Sequence, residues 1–195
     1  MASPSVYDMV LPGCRVDWNA RSISIEVFCG ECCEEELSRL AAAIAQTHAD
    51  VLVGMGGGKT IDTAKIAADR AGIPAIVVPT IASTDAPTSG CAVIYSKDGV
   101  FDCVCYQRMN PAAVLVDVGI IAAAPTRFLV AGMGDALSTW FEARSCERTQ
   151  SVNECGGYGT AAGLAIARLC YETLLSHGAA AMIPTSTSTA AGFIL

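Results

Sequence analysis

Four glycines fall within five residues at Gly54-Met55-Gly56-Gly57-Gly58, and no other stretch constrains the fold as tightly. The apolar run Val51-Leu52-Val53 enters this cluster, and Lys59-Thr60 and a helix-like pattern leave it. That order reads as a buried strand, a tight turn and a helix N-terminus. Such a turn presents backbone N–H groups, and the helix dipole favours an anion there. Glycines let the backbone approach a phosphate without Cβ clashes. The stretch therefore reads as a dinucleotide-phosphate cradle.

Composition narrows the remaining classes. The chain has 195 residues, room for one good-sized domain or for one domain plus part of another. Hydrophobic residues make up 52%, enough for a core. The net charge of −7 and a pI of about 4.7 argue against a nucleic-acid surface, which needs a basic patch. No apolar run is long enough to span a membrane. The opening MASPSVYDMV lacks a basic segment followed by an apolar block, so no secretory signal is expected and the location is read as cytoplasmic. Ten cysteines at irregular spacings, with only His48 and His177 as histidines, point to free buried thiols rather than to a zinc finger or a dithiol redox site.

Along the chain, residues 1–22 show no period. Ile23, Ile25 and Val27 alternate with polar residues and predict a short strand. Glu34-Glu35-Glu36 suits a helix first turn, and Leu37, Leu40, Ala41, Ile44 and Ala45 continue that helix to His48, read as a surface or capping residue. Val51–Val53 reads as a parallel strand covered on both faces. A helix from Lys59 to Arg70 stops at Gly72, and 73–78 is the next strand. Strands alternating with helices through short connections define the α/β class.

A hydroxyl-rich loop, 79–89, follows that strand's carboxyl end, where open α/β sheets bind ligands. Ala92–Tyr95 and Phe101–Cys105 flank Lys97-Asp98-Gly99 and read as a hairpin, with Ala113–Val116 one more strand. Beyond Gly119 only helices are predicted, at Asp135–Arg144 and Thr160–Ser176, with Pro125 in a first turn and His177-Gly178 at a helix end. The Ala/Ser/Thr-rich stretch Ala179–Leu195 is expected to lack fixed structure. The expected organisation is a Rossmann-like domain over 1–124 and the start of an all-helical domain over 125–195.

Two phosphate templates and a ligand-free turn compete for the glycine loop. A Walker loop ends Gly-Lys-Thr as here, but its first glycine falls on Val53, and Gly54 leaves it one residue short. The Rossmann fingerprint fails because Lys59 occupies its last glycine position. A plain tight turn remains, although it needs one or two glycines rather than four.

The runs GMGGGKTIDTAK, VVPTIASTDAPTSG and GMGDALSTWFEAR, in this order and spacing, resemble glycerol dehydrogenases within the iron- and zinc-dependent (group III) alcohol dehydrogenases. The resemblance extends from Glu26 to Gly178. It implies a dehydroquinate synthase-like architecture and NAD-dependent oxidation of glycerol, or a related diol, to dihydroxyacetone. Carried over by position, Gly57, Gly58 and Lys59 hold the NAD pyrophosphate, and Thr80, Ser83 and Thr84 line the cofactor's path. Ser89, Cys91 and Tyr95 sit near the nicotinamide. Asp85 binds the polyol hydroxyls as the catalytic-site residue, and Asp135 ligates a divalent metal, zinc rather than iron. For the residues alone, Asp85 also reads as a turn carboxylate and Asp135 as a helix N-cap after Gly134.

A metal-bound alcohol loses its proton more readily, and the cofactor accepts the hydride. The family is also homo-oligomeric. Two departures from its pattern stand out. Residues 1–22 do not resemble the family's first strand, which carries an acidic residue for the adenine ribose, and the two family histidines that complete the metal site have no counterpart before Leu195. The expectation is a chain truncated at both ends, of low or no activity by itself, with a non-catalytic nucleotide-binding remnant as the alternative.

Overall fold

The computed structural model describes residues 1–13 and 22–182. Three parallel strands form the main sheet in the order β1 (Leu52–Gly56), β2 (Ala75–Pro79), β5 (Ala113–Val114). Helix α3 (Gly58–Ala71) makes the crossover from β1 to β2, and a hairpin of β3 (Cys91–Tyr95) and β4 (Phe101–Tyr106) precedes β5. The parallel α/β class read from the alternating pattern is the class observed.

Helix α3 is the hub of this part. It packs on β1, on β2, on β3 and on α2 (Glu34–Thr47). Its inward side supplies Ile61, Ala64, Ile66, Ala67 and Ala68, all buried. Leu37 and Leu40 of α2, Leu52 of β1, and Ala92 and Ile94 of β3 belong to the same buried set. The helix ends where predicted: Gly72 adopts the left-handed conformation at φ 71 and its N–H returns to the carbonyls of Ala68 and Asp69. His48 does the same for α2 at φ 51, the capping role expected of it.

Four expectations for this part of the chain are corrected. The strand over Ile23–Val27 is extended chain in which Val27 alone forms a bridge, to Ala2, because no continuous partner strand runs beside it. Residues 1–13 are not irregular: Met1–Ser3 lie between Val27 and β1, with Ser3 N–H donating to Met55 O at 2.9 Å and Phe28 N–H to Ala2 O at 2.9 Å. The chain then turns into α1 (Pro4–Met9), with Pro4 set for a helix start. Third, β1 is not covered on both faces, since Val53 is 37% exposed on the side away from α3. Fourth, β5 is two residues long, because Leu115 N–H still bonds Val77 O at 2.8 Å but the ladder goes no further.

A second compact unit comprises Ala82–Asp85 and the chain from Val118 onward, the first being Met1–Ile81 with Ala86–Asp117. In the second, α4 (Val118–Ala123) precedes α5 (Thr126–Thr149), which packs along α6 (Ala161–Ala181). Tyr171 meets Phe141 edge-on at 5.6 Å between centroids. Both long helices exceed their predicted lengths. The α5 interior carries Asp135, so that residue is not a helix N-cap, and His177 lies inside α6, not at its end. Ala179–Ala181 are helical, whereas the rest of the stretch expected to lack fixed structure lies outside the described residues.

The β1–α3 contact sets a steric limit. A Cβ built on Gly54 falls 2.5 Å from Ala64 Cβ, so the glycine is required for this approach. Gly54→Ala is expected to destabilise the chain by about 1–3 kcal/mol through overpacking, read as a lower urea midpoint at unchanged slope.

Candidate active site

The first unit contributes the cradle. Gly56 ends β1, Gly57 is the N-cap of α3 and Gly58 its first residue. No side chain caps this helix start, so its first N–H groups have no side-chain acceptor at the N-cap. Space at the turn is tight. A Cβ on Gly56 would meet Thr60 Oγ1 at 2.8 Å, and one on Gly57 would meet Ile81 Cδ1 at 2.8 Å. Thr80 N–H donates to Gly56 O at 3.0 Å, tying the end of β2 to the turn. Bare backbone, first-turn donors and a helix dipole fit a phosphate group.

Lys59 stands on the first turn with its ammonium 2.5 Å from Glu31 Oε2 and 4.9 Å from the centroid of the Tyr95 ring. The structure thus brings together Gly57, Gly58, Lys59, Thr80 and Tyr95 in one unit. Ser89 and Cys91 join them through Lys65, a residue to which the sequence reading gave no role. Its side chain is 2% exposed. Its Nζ donates to Cys91 O at 2.6 Å, to Ala86 O at 2.8 Å, and to Ser89 O and Oγ at 3.2 Å each. A buried ammonium needs such acceptors. Asp62, one turn earlier, accepts from Val93 N–H at 3.1 Å and lies 3.2 Å from Lys65 Nζ, an ion pair without hydrogen-bond alignment at Oδ1. Burial pushes the Asp62 carboxyl up from its ordinary value, and the nearby lysine opposes that. Asp62 and Lys65 were visible as the end of the Lys-x-x-Asp-x-x-Lys run; the pairing of that lysine with the 86–91 loop was not.

The Cys29-Gly30-Glu31-Cys32 run has the spacing of a dithiol motif, which the sequence reading passed over. Cys32 is fully buried and its thiol is pushed up to about 11 by burial, and the Cys29 thiol is also raised, chiefly by its contact with Glu36. Redox dithiols need the opposite shift. The run instead presents Glu31 to Lys59.

The second unit holds Ser83, Thr84 and Asp85 against α5. Asp85 N–H donates to Asp135 Oδ2 at 2.9 Å. One turn before Asp135, Gly132 receives the loop backbone: a Cβ there would lie 2.2 Å from Ala82 O. Asp85 and Asp135 are therefore neighbours, both exposed. Among the described residues no group of three or more His, Cys, Asp or Glu is placed to hold a metal ion. A catalytic zinc takes three protein ligands. The described residues do not fit a complete metal centre.

The fold defines a parallel α/β unit, with a glycine turn whose backbone fits a phosphate, and a helical unit. Residues 2–118 match the model of the iron-containing alcohol dehydrogenases, and the chain belongs to that family. A glycerol dehydrogenase of Thermotoga maritima is 52% identical over 156 residues, covering 80% of this chain and 43% of its own length. One from Citrobacter freundii is 51% identical over 157 residues, with the same coverages. A probable glycerol dehydrogenase from Sinorhizobium meliloti 1021, of known crystal structure, superposes with a TM-score of 0.85 at 44% identity, over 93% of this chain and 50% of that one. The chain thus spans about half the length of the relatives it matches.

Two substitutions check how the loops are held. Lys65→Met leaves Asp62 without its cation and takes one donor from the carbonyls of Ala86, Ser89 and Cys91, the first and last of which Ser89 Oγ also reaches at 3.2 Å, and is expected to cost about 3–5 kcal/mol in urea unfolding, partly recovered by adding Asp62→Asn. Gly132→Ala is expected to displace Ala82–Asp85, read as faster proteolysis at that loop than in Gly134→Ala, where a Cβ meets nothing within 4 Å.

Proposed function

We propose that this chain carries the nucleotide-binding part of an NAD-dependent dehydrogenase that oxidises glycerol, or a related diol, at a secondary alcohol. The observation that carries this reading is the capless glycine turn at the start of α3, occurring in a chain about half identical to two glycerol dehydrogenases. Gly57, Gly58 and Lys59 hold the cofactor's pyrophosphate, and Thr80, Ser83 and Thr84 line its path. Ser89, Cys91 and Tyr95 face the nicotinamide side, their backbone positions fixed by Lys65 for the first two. When bound, the cofactor supplies the hydride acceptor. Asp85 accepts hydrogen bonds from the polyol, and a carboxylate there orients the hydroxyls of a small, neutral substrate. Asp135 is the chain's own contribution to a divalent-metal site, with zinc favoured over iron. A cytoplasmic, homo-oligomeric enzyme completes the proposal.

With Asp135 lacking companion ligands among the described residues, the chain by itself turns over slowly or not at all. That same observation supports a second reading, a nucleotide-binding module without catalysis. Calorimetric titration of the purified chain with NAD, followed by NAD-linked oxidation of glycerol in the presence of zinc, separates the two. NAD binding with little turnover is expected. Turnover near that of a full-length glycerol dehydrogenase overturns the low-activity proposal, and no NAD binding overturns the cofactor assignment.

A further inference from the structure

Glu31, in the loop before α2, meets Lys59, on the first turn of α3, at 2.5 Å. The carboxylate is not simply drawn there by the lysine. Its other oxygen, Oε1, accepts from Cys32 N–H at 3.0 Å, so the loop that bears it also aims it. The hairpin turn closes on it from the other side: Gly99, at φ +78, would place a Cβ 3.3 Å from Glu31 Oε2. The carboxylate is the more enclosed partner, 18% exposed against 49% for the lysine. Lys59 also lies over the Tyr95 ring.

The side-chain charges at this turn therefore cancel. What remains to attract an anion is the helix dipole and the backbone N–H groups, that of Lys59 on the first turn included. Those suffice for oxygens sharing one charge per phosphate, as in the bridging diphosphate of a dinucleotide. A terminal phosphate carries close to two charges at neutral pH and calls for an uncommitted cation. We propose that Glu31 is a specificity-determining residue: by pairing with Lys59 it sets the turn to accept a bridging diphosphate and to disfavour nucleotides that end in a free phosphate. This rests on the reading of the turn as a dinucleotide cradle.

ADP-ribose and ADP share the adenosine diphosphate and differ in whether the second phosphate is bridged or terminal. Their dissociation constants, measured on the full chain and on Glu31→Gln, test the proposal. Glutamine keeps the acceptor for Cys32 N–H and removes the charge. ADP is expected to tighten relative to ADP-ribose by about fivefold in Glu31→Gln. Lys59→Gln, which leaves Glu31 as an uncompensated anion, is expected to move the ratio the other way, and it serves alone if Glu31→Gln does not fold. An unchanged ratio, or equal weakening of both ligands, overturns the proposal and reduces Glu31 to a structural residue. If the wild-type chain binds ADP-ribose and the ratio does not move, only this proposal falls. If the wild-type chain binds neither ligand, the dinucleotide reading falls with it.

Discussion

The contact between β1 and α3 is the constraint on which the rest of the first unit depends. Gly54 and Ala64 are the two smallest choices available at that contact, and the backbone-to-helix distance leaves no room for a methyl group on the strand. Close docking of this kind fixes where a helix begins, and the beginning of α3 is the glycine turn. The same helix supplies Ile61, Ile66 and Ala68 to the core and ends on Gly72. A phosphate cradle built from backbone needs a rigid mount, since backbone donors cannot be re-aimed by rotamer changes.

From the middle of that helix, Lys65 solves a different problem. A loop rich in small hydroxyl residues has little apolar surface with which to hold itself in place. One buried ammonium gathers the carbonyls of Ala86, Ser89 and Cys91 onto a single point. Removing a charge from water is expensive, and the arrangement persists because Nζ finds acceptors for its protons and a carboxylate, Asp62, nearby. The start of β3, where Cys91 sits, is held by the same point. Asp62 in turn reaches Val93 N–H, so the hairpin is pinned twice from one turn of α3.

In the helical unit the ordering device is shape rather than charge. Gly132 and Asp135 occupy one face of α5, one turn apart. The glycine admits the loop backbone at Ala82, and the aspartate receives Asp85 N–H. Together they seat the backbone of Asp85 on the Asp135 carboxylate. Elsewhere this unit is loosely covered: Ile166, Leu169 and Leu175 of α6 are each more than 60% exposed.

Much of this was legible in the chain itself. The order of strands and helices from 51 to 106, the glycine stop at 72 and the Asp-Gly hairpin follow from periodicity and turn chemistry, which are local properties. The glycine cluster stood out because four glycines in five residues carry a large backbone-entropy cost, whereas its packing role, Gly54 against Ala64, was not readable from the run itself. The family runs identified the chain for the same reason: they are contiguous. What tertiary structure alone decided was pairing across sequence distance. Nothing local says that Met1–Ser3 would lie beside β1, that Glu31 would meet Lys59, that Lys65 would gather the 86–91 loop, or that Asp135 would sit mid-helix against Asp85. Local propensity specifies a residue's backbone state, whereas partner choice is made by burial and geometry once the elements have packed.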